Sequence, residues 1–407
     1  MGKRGKFFAG LMATVIVAGT LAGCGSSDKA ASKGGDQKTI TVWTRLTDPE
    51  IEEVNKLAEQ WGKDKGCKVK VVKDDGDFQA FLQAANSSKG PDMVFGMPHD
   101  NLGTFQTAGL LAEVPKDFAN KDDYANKTVW DAVSYDGKAY AVPIAMETYA
   151  LYYNKSKVKE APKTMDDLIT QAKAYDKTGF QFDINNFYYA GAFVQAYGGY
   201  VFGGKEGSLD PNDIGLDNAG AIKGFTFLQD LVQKDKFMPA DMTGDIAKAS
   251  FTSQQSIFYL SGPWDIAPSK EAGVDFGIAP IPQINGKGVP SFLGVQAAFV
   301  SAKSKNQDET WDLMKYLVKN SGQVLLDKGN RIPVLKSELE NDNIKNNEYL
   351  QGFIEQTKYA VPMPNIKQMQ AVWGPMGNLS RLYQGENPST VAKEIVEGIK
   401  QGIATQQ

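Results

Sequence analysis

The chain has 407 residues, 42% of them hydrophobic and 23% charged, and a formal net charge of −4. That length and composition suit a soluble globule large enough for two domains, and the acidic balance excludes a protein that grips nucleic-acid phosphates. One histidine and two cysteines exclude a His/Cys zinc cluster and a disulfide-framed fold.

The amino terminus reads as an export signal. Lys3, Arg4 and Lys6 precede an uncharged apolar run, Phe7 to Leu21, which is shorter than the roughly 20 residues of a spanning helix. "LAGC", Leu21 to Cys24, resembles a bacterial lipobox, which implies that Cys24 is lipidated and becomes the first residue of the exported chain. The small polar stretch that follows, residues 24–37, reads as a flexible tether. Loss of residues 1–23, with three basic and no acidic side chains, takes the formal charge to −7 and leaves 384 residues. Cys67 then has no disulfide partner, and its strand-like setting, "CKVKVVK", makes it a buried thiol.

The elements of the globular part come in a regular order. Lys38–Thr44 predicts a strand, and Pro49 opens a helix with Ile51, Val54, Leu57, Ala58 and Trp61 on one face. A strand over Cys67–Lys73, a helix over Phe78–Ala85 and a strand over Pro91–Met97 follow. That alternation predicts βαβ units and a parallel sheet. It recurs in a helix over Ala219–Lys234, strands over Gln255–Leu260 and Phe276–Pro282, a buried strand over Leu293–Ser301 and an amphipathic helix near Thr310–Lys319. Two such regions predict two α/β lobes, with a ligand held at strand carboxyl ends or in the cleft between them.

Much chemistry is missing. His99, in "GMPHDNLG", reads as a structural loop residue, because no G-x-S-x-G elbow accompanies it to build a triad. No Walker-A sequence, dinucleotide glycine pattern or EF-hand loop occurs, so no cofactor or metal is expected. What remains is acids and rings. Asp48, Asp100 and Glu147 fall near predicted strand ends. Phe187, Tyr188 and Tyr189 open "NFYYAGAFVQAYGGYVFGG", Trp264 sits in "GPWDI" and Trp373 in "NIKQMQAVWGP". Ionised carboxylates accept hydrogen bonds from sugar hydroxyls, and flat rings suit the C–H faces of pyranoses. Carbohydrate recognition follows. The residues alone leave open whether the sugar is held or cleaved by a carboxylate pair, and the lipid and tether favour holding it. Trp43, in a strand, and Trp61, on an apolar helix face, read as core.

"ITVWT", "KGPDMVFGMPHDNLG", "AGLLAEV", "WDAVSYDGKAYAVPIAMETYALYYNK", "APKTMDDL", "GGYVFG", "DIGLDNAGAIKGFTFLQDLV", "GPWDI" and "MPNIKQMQAVW" occur in that order. Together they resemble the maltose- and maltodextrin-binding proteins of ABC importers, in the lipoprotein form of Gram-positive bacteria, over essentially the whole exported chain. "MPNIKQMQAVW" together with "NFYY" and "GGYVFG" is the most specific part. The resemblance implies a two-lobed periplasmic-binding-protein-like α/β fold (type II), with discontinuous lobes joined by hinge segments. By motif position the lobes fall at 38–145 with 298–338 and at 146–297 with 339–407, and "PIAME", Pro143 to Glu147, is the first hinge.

The same resemblance implies a monomeric receptor, not an enzyme, held by lipid on Cys24 at the extracellular face of the cell membrane. Its partners would be maltooligosaccharides and the permease subunits of an ABC transporter, with no cofactor, metal or nucleic acid. Residue by residue, Tyr188, Trp264 and Trp373 match sugar-stacking aromatics, with Tyr189 beside the first of them. Glu147 and Asp100 match acids that bind sugar hydroxyls, and Arg45, Asp48 and Asp77 stand where further polar contacts arise. The sequence also departs from the pattern. Gly96 and Met97 stand where relatives can show a tryptophan, Asn101 where arginine is common, and Ile266 where a second tryptophan can follow "GPW". These departures leave glucan length and linkage open. The alternative from another class is a surface-anchored glycosidase using Glu147 and Asp100.

Overall fold

The computed structural model describes residues 38–406 except 75, 77, 177, 206 and 207. Asp77, Cys24, the signal and the tether lie outside the described residues. In chain order the strands are β1 (Thr39–Thr44), β2 (Lys68–Lys73), β3 (Met93–Pro98), β4 (Ser134–Tyr135), β5 (Lys138–Ala139), β6 (Val142–Glu147) and β7 (Ala150–Asn154). Then come β8 (Phe180–Gln181), β9 (Gly203–Lys205), β10 (Ser208–Asp210), β11 (Phe258–Ser261), β12 (Phe276–Ala279), β13 (Phe292–Val300) and β14 (Val361–Pro362).

Local pattern accounts for the first layer. Helix Asp48–Lys65 buries Val54, Ala58 and Trp61, which share one face at a 3.6-residue period. Pro49 lies in its first turn, and the Glu50 carboxylate accepts the Thr47 backbone N–H at 2.8 Å, satisfying a donor that the helix itself cannot. The helix stops at Gly66, whose left-handed backbone (φ 69°) suits a residue without Cβ. Trp61 is 2% exposed and its indole N–H donates to Asp312 at 3.0 Å. Cys67 is a buried free thiol, as its setting predicts.

β1 lies between β2 and β3 and is parallel to both. The far edge of β3 takes β13 antiparallel, and β13 also pairs antiparallel with β6 and parallel with β14. The second sheet runs β12-β7-β11-β8, with β11 and β8 its parallel pair. Both sheets are thus mixed, where strand–helix alternation predicts parallel ones. The physical reason is long-range pairing: β13 is buried at all nine positions, so it is an interior strand, and the strands flanking it come from distant sequence. The chain leaves the first sheet at Glu147, enters the second at Ala150 and returns to the first along β13.

His99 stitches this return together. Its Nδ1 accepts the Val295 N–H at 3.0 Å, and its Nε2 donates to the Met363 carbonyl at 2.9 Å. Burial pushes the imidazole down to about 4, so the ring is neutral at pH 7, as this bonding requires. It is the structural residue that its loop suggests.

Candidate functional site

Glu147 is the last residue of β6, paired with Gly294 of β13. A Cβ at position 294 would stand 2.8 Å from Glu147 Cγ, so glycine there makes room for the acid to cross the strand. Asp100 follows β3 in the single turn His99–Asn101. It is buried, and its Oδ1 accepts from Asn101 Nδ2 at 3.1 Å. Burial pushes the Asp100 carboxyl up to about 6, and the negative charge of Glu147 adds to the rise. The two predicted acids therefore share one electrostatic environment.

Tyr188 and Trp264 come from segments that follow strands of the second sheet, β8 and β11. Asn186 caps helix Phe187–Ala196 by accepting the Tyr188 N–H at 3.0 Å. The helix turns Phe187 and Tyr189 into the core and leaves Tyr188 half-buried. The Tyr188 ring centroid lies 4.9 Å from Tyr149, 5.2 Å from Tyr189 and 6.5 Å from Trp264, and it stacks on Phe292 at 6.4 Å and 23°. Burial pushes the Tyr188 hydroxyl well above the usual phenol range, with Glu147 and Asp100 both contributing, so it stays a hydrogen-bond donor at neutral pH. Trp264, in the turn Pro263–Asp265, is 40% exposed. Trp373 ends helix Gln370–Trp373 and is half-buried, and Gln370 at the start of that helix donates to the Asp100 carbonyl at 3.3 Å.

Two predicted polar residues are engaged elsewhere. Arg45 donates to Asp74 at 2.8 Å and to the Gly76 carbonyl at 2.7 Å, and lies over the Phe81 ring. Asp48 pairs with Lys73 of β2 at 2.8 Å, its side chain 80% exposed. Glu50, two residues further on, is the acid of this helix that reaches the charge network. Its carboxylate takes Arg331 Nε at 2.6 Å, while Arg331 Nη1 donates to Glu147. Glu147 Oε1 also accepts from Gln296 at 3.3 Å. Sequence reading missed Arg331, Glu50 and Gln296. One signal was present: the chain has only four arginines among its 44 basic residues, and arginine is the cation whose planar fork serves two carboxylates at once.

A cavity of about 160 Å³ shares Phe292 with the ring cluster, but its other walls are residues such as Gln195, Tyr200, Phe202 and Asn365, and none of the predicted site residues lines it. Among the described residues, no group of three or more His, Cys, Asp or Glu side chains could hold a metal, and no helix is long and apolar enough to cross a membrane.

Residues 56–352 match the family described as bacterial extracellular solute-binding protein. The chain belongs to this family. A galactooligosaccharide-binding protein of Bacillus subtilis is 33% identical over 397 residues, spanning 92% of this chain and 91% of that protein. A maltooligosaccharide ABC transporter solute-binding lipoprotein of Streptococcus pneumoniae is 31% identical, spanning 97% and 96%. Among solved structures, the maltose-maltodextrin binding protein of Alicyclobacillus acidocaldarius superposes with a TM-score of 0.80 at 41% identity, covering 89% of this chain and 100% of that one. A cyclo/maltodextrin-binding protein complexed with maltotetraose gives a TM-score of 0.84 at 31% identity, with 92% and 100% covered. This solute-binding protein accordingly has the two-lobed α/β architecture of those structures, as the sequence motifs imply.

Proposed function

We propose that this solute-binding protein captures maltooligosaccharides outside the cell and delivers them to the permease subunits of an ABC transporter. The observation that carries the reading is the Tyr188–Trp264 pair, two rings 6.5 Å apart and inclined at 42°, beside the interacting acids Glu147 and Asp100. Rings of this kind cover the apolar faces of glucose units, and the carboxylates accept their hydroxyls. Trp373 adds a third ring, with Tyr189 supporting Tyr188 from behind. The lobes, at 38–145 with 298–338 and 146–297 with 339–407, close around the sugar and present the closed form to the permease. The receptor works as a monomer without catalysis or cofactor, anchored at the extracellular face of the membrane by lipid on Cys24.

The relatives compared are binding proteins, and the glycosidase alternative finds no support among them. A second ligand class does have a specific ground: the Bacillus subtilis relative at 33% identity is named for galactooligosaccharides. Calorimetric titration with maltose, maltotriose, panose, longer dextrins and β-galactosyl oligosaccharides separates the two. Binding of the α-glucans alone supports the proposal, and binding confined to the galactosides replaces it. Incubation with maltoheptaose must yield no shorter products; sustained turnover would refute the receptor reading.

A further inference from the structure

Trp264 is 40% exposed, so ordinary core packing does not hold it, yet its ring has a defined seat. The indole folds back over Gly262: a Cβ at that position would stand 2.1 Å from Cη2, 2.3 Å from Cζ2 and 2.4 Å from Cζ3. Contacts that short cannot exist, so a side chain at 262 forces the ring to shift from this seat. The φ of Gly262 is −95°, a conformation open to every residue, and the need for glycine here is therefore spatial. The backbone beneath the ring is pinned as well, since the buried Tyr152 hydroxyl donates to the Gly262 carbonyl at 2.6 Å.

The other side of the turn is held by a buried acid. Asp265 is 2% exposed, and its Oδ2 accepts from the Tyr259 hydroxyl at 2.7 Å and from Ser261 Oγ at 2.6 Å. Its Oδ1 lies 3.1 Å from Lys248 Nζ. Ser261 and Asp265 bracket the Gly262–Trp264 segment, so these bonds close the turn across its base. Burying a carboxylate is costly unless it is paired and hydrogen-bonded, and a turn of this kind needs no acid to form.

We propose that Gly262 and Asp265 are positioning residues that preset the Trp264 ring plane for a sugar. Gly262 supplies the space on which the ring lies, and Asp265 locks the turn that carries it. The proposal rests on the sugar-binding reading of the site. A ring ordered in advance loses little rotamer freedom when a sugar covers it, whereas a freed ring loses it on binding. Freeing one side chain should weaken binding about 2- to 12-fold.

The test uses the full chain with Gly262→Ala, Asp265→Ala and Asp265→Asn, each alone and combined with Trp264→Ala. Without sugar, the near-ultraviolet circular dichroism of Trp264, obtained by subtracting the Trp264→Phe spectrum, should be lost in Gly262→Ala and Asp265→Ala. Asp265→Asn, which keeps an acceptor for the two hydroxyls, should retain part of it. With maltotriose, Gly262→Ala and Asp265→Ala should weaken binding by the stated factor in the parent chain and add nothing in the Trp264→Ala background, because the residues act through that ring. A Trp264 signal unchanged in Gly262→Ala, whose single added methyl keeps the test independent of a folding failure in Asp265→Ala, overturns the proposal. Equal losses with and without Trp264 overturn it too, by exposing a general structural role. An unsubstituted chain that binds no sugar of the panel overturns the functional reading instead, and the sugar-free spectra distinguish that case.

Discussion

Replacing Arg331 with methionine tests how the Glu50–Arg331–Glu147 cluster is held. The guanidinium side chain is 12% exposed and lies between Glu50, 0% exposed, and Glu147, 22% exposed. Removing it strands two carboxylates that share one cation. Breaking a buried pair this way typically costs about 3–5 kcal/mol, because a charge is left without its partner. Glu50 keeps two hydrogen bonds from Thr47, from the N–H and the hydroxyl, both at 2.8 Å. Glu147 keeps Gln296 at 3.3 Å and some solvent, so the expected loss lies at the low end, about 3 kcal/mol. Urea unfolding of the sugar-free protein at neutral pH measures it as a lower midpoint at unchanged slope. Adding Glu50→Gln to Arg331→Met removes the more deeply buried orphan charge and should restore roughly half of the loss. Arg331→Lys should fall between, since an ammonium cannot present a planar fork to two acids. A loss below about 1 kcal/mol, the range of an exposed pair, would refute the argument, as would a double variant no more stable than Arg331→Met.

Three further outcomes are expected. Trp264→Ala and Trp373→Ala should each weaken maltotriose binding roughly 5- to 150-fold, from about 1–3 kcal/mol of lost apolar cover, with little change in melting temperature, while Trp61→Ala, 2% exposed, should lose about 3–5 kcal/mol of stability and bind normally where folded; early melting with normal binding in the first two would reverse the assignment. The Asp100 carboxyl is raised from 3.8 to about 6 by burial first and Glu147 second, so the fold gains stability from its bound proton at low pH and loses that contribution as pH rises through about 6. A sugar hydroxyl donating to the ionised acid reverses the preference, so maltotriose affinity should fall as pH drops through about 6 and the dependence should vanish in Asp100→Asn; calorimetry in buffers of different ionisation enthalpy reads the released proton, and a flat profile would show that Asp100 takes no sugar hydroxyl. Cys24→Ala should shift the protein from the membrane fraction to the medium with maltotriose affinity unchanged, and retention in membranes would rule out the lipid anchor.

Short-range pattern is enough to specify the local elements. The apolar spacing of Val54, Ala58 and Trp61 with Pro49 and Gly66 at the ends specifies helix Asp48–Lys65, because burial period and termini are local properties. Strands β1, β2, β3 and β13 of the first sheet, the buried state of Cys67 and the ring-bearing motifs were legible for the same reason, whereas β6 and β14 of that sheet were not read as strands; the motif order carried the family. Tertiary structure alone decided which strands pair and which charges meet. β13 joins β3 and β6 antiparallel, a choice that side-chain alternation cannot express, because a strand buried on both faces has no polar face to set its partners. Arg331 reaches Glu50 across 281 residues and Glu147 across 184, and the indole of Trp264 finds its seat only where a missing Cβ leaves room over Gly262. Buried charges are tolerable only in pairs, and which pairs form is settled when distant segments pack and exclude water.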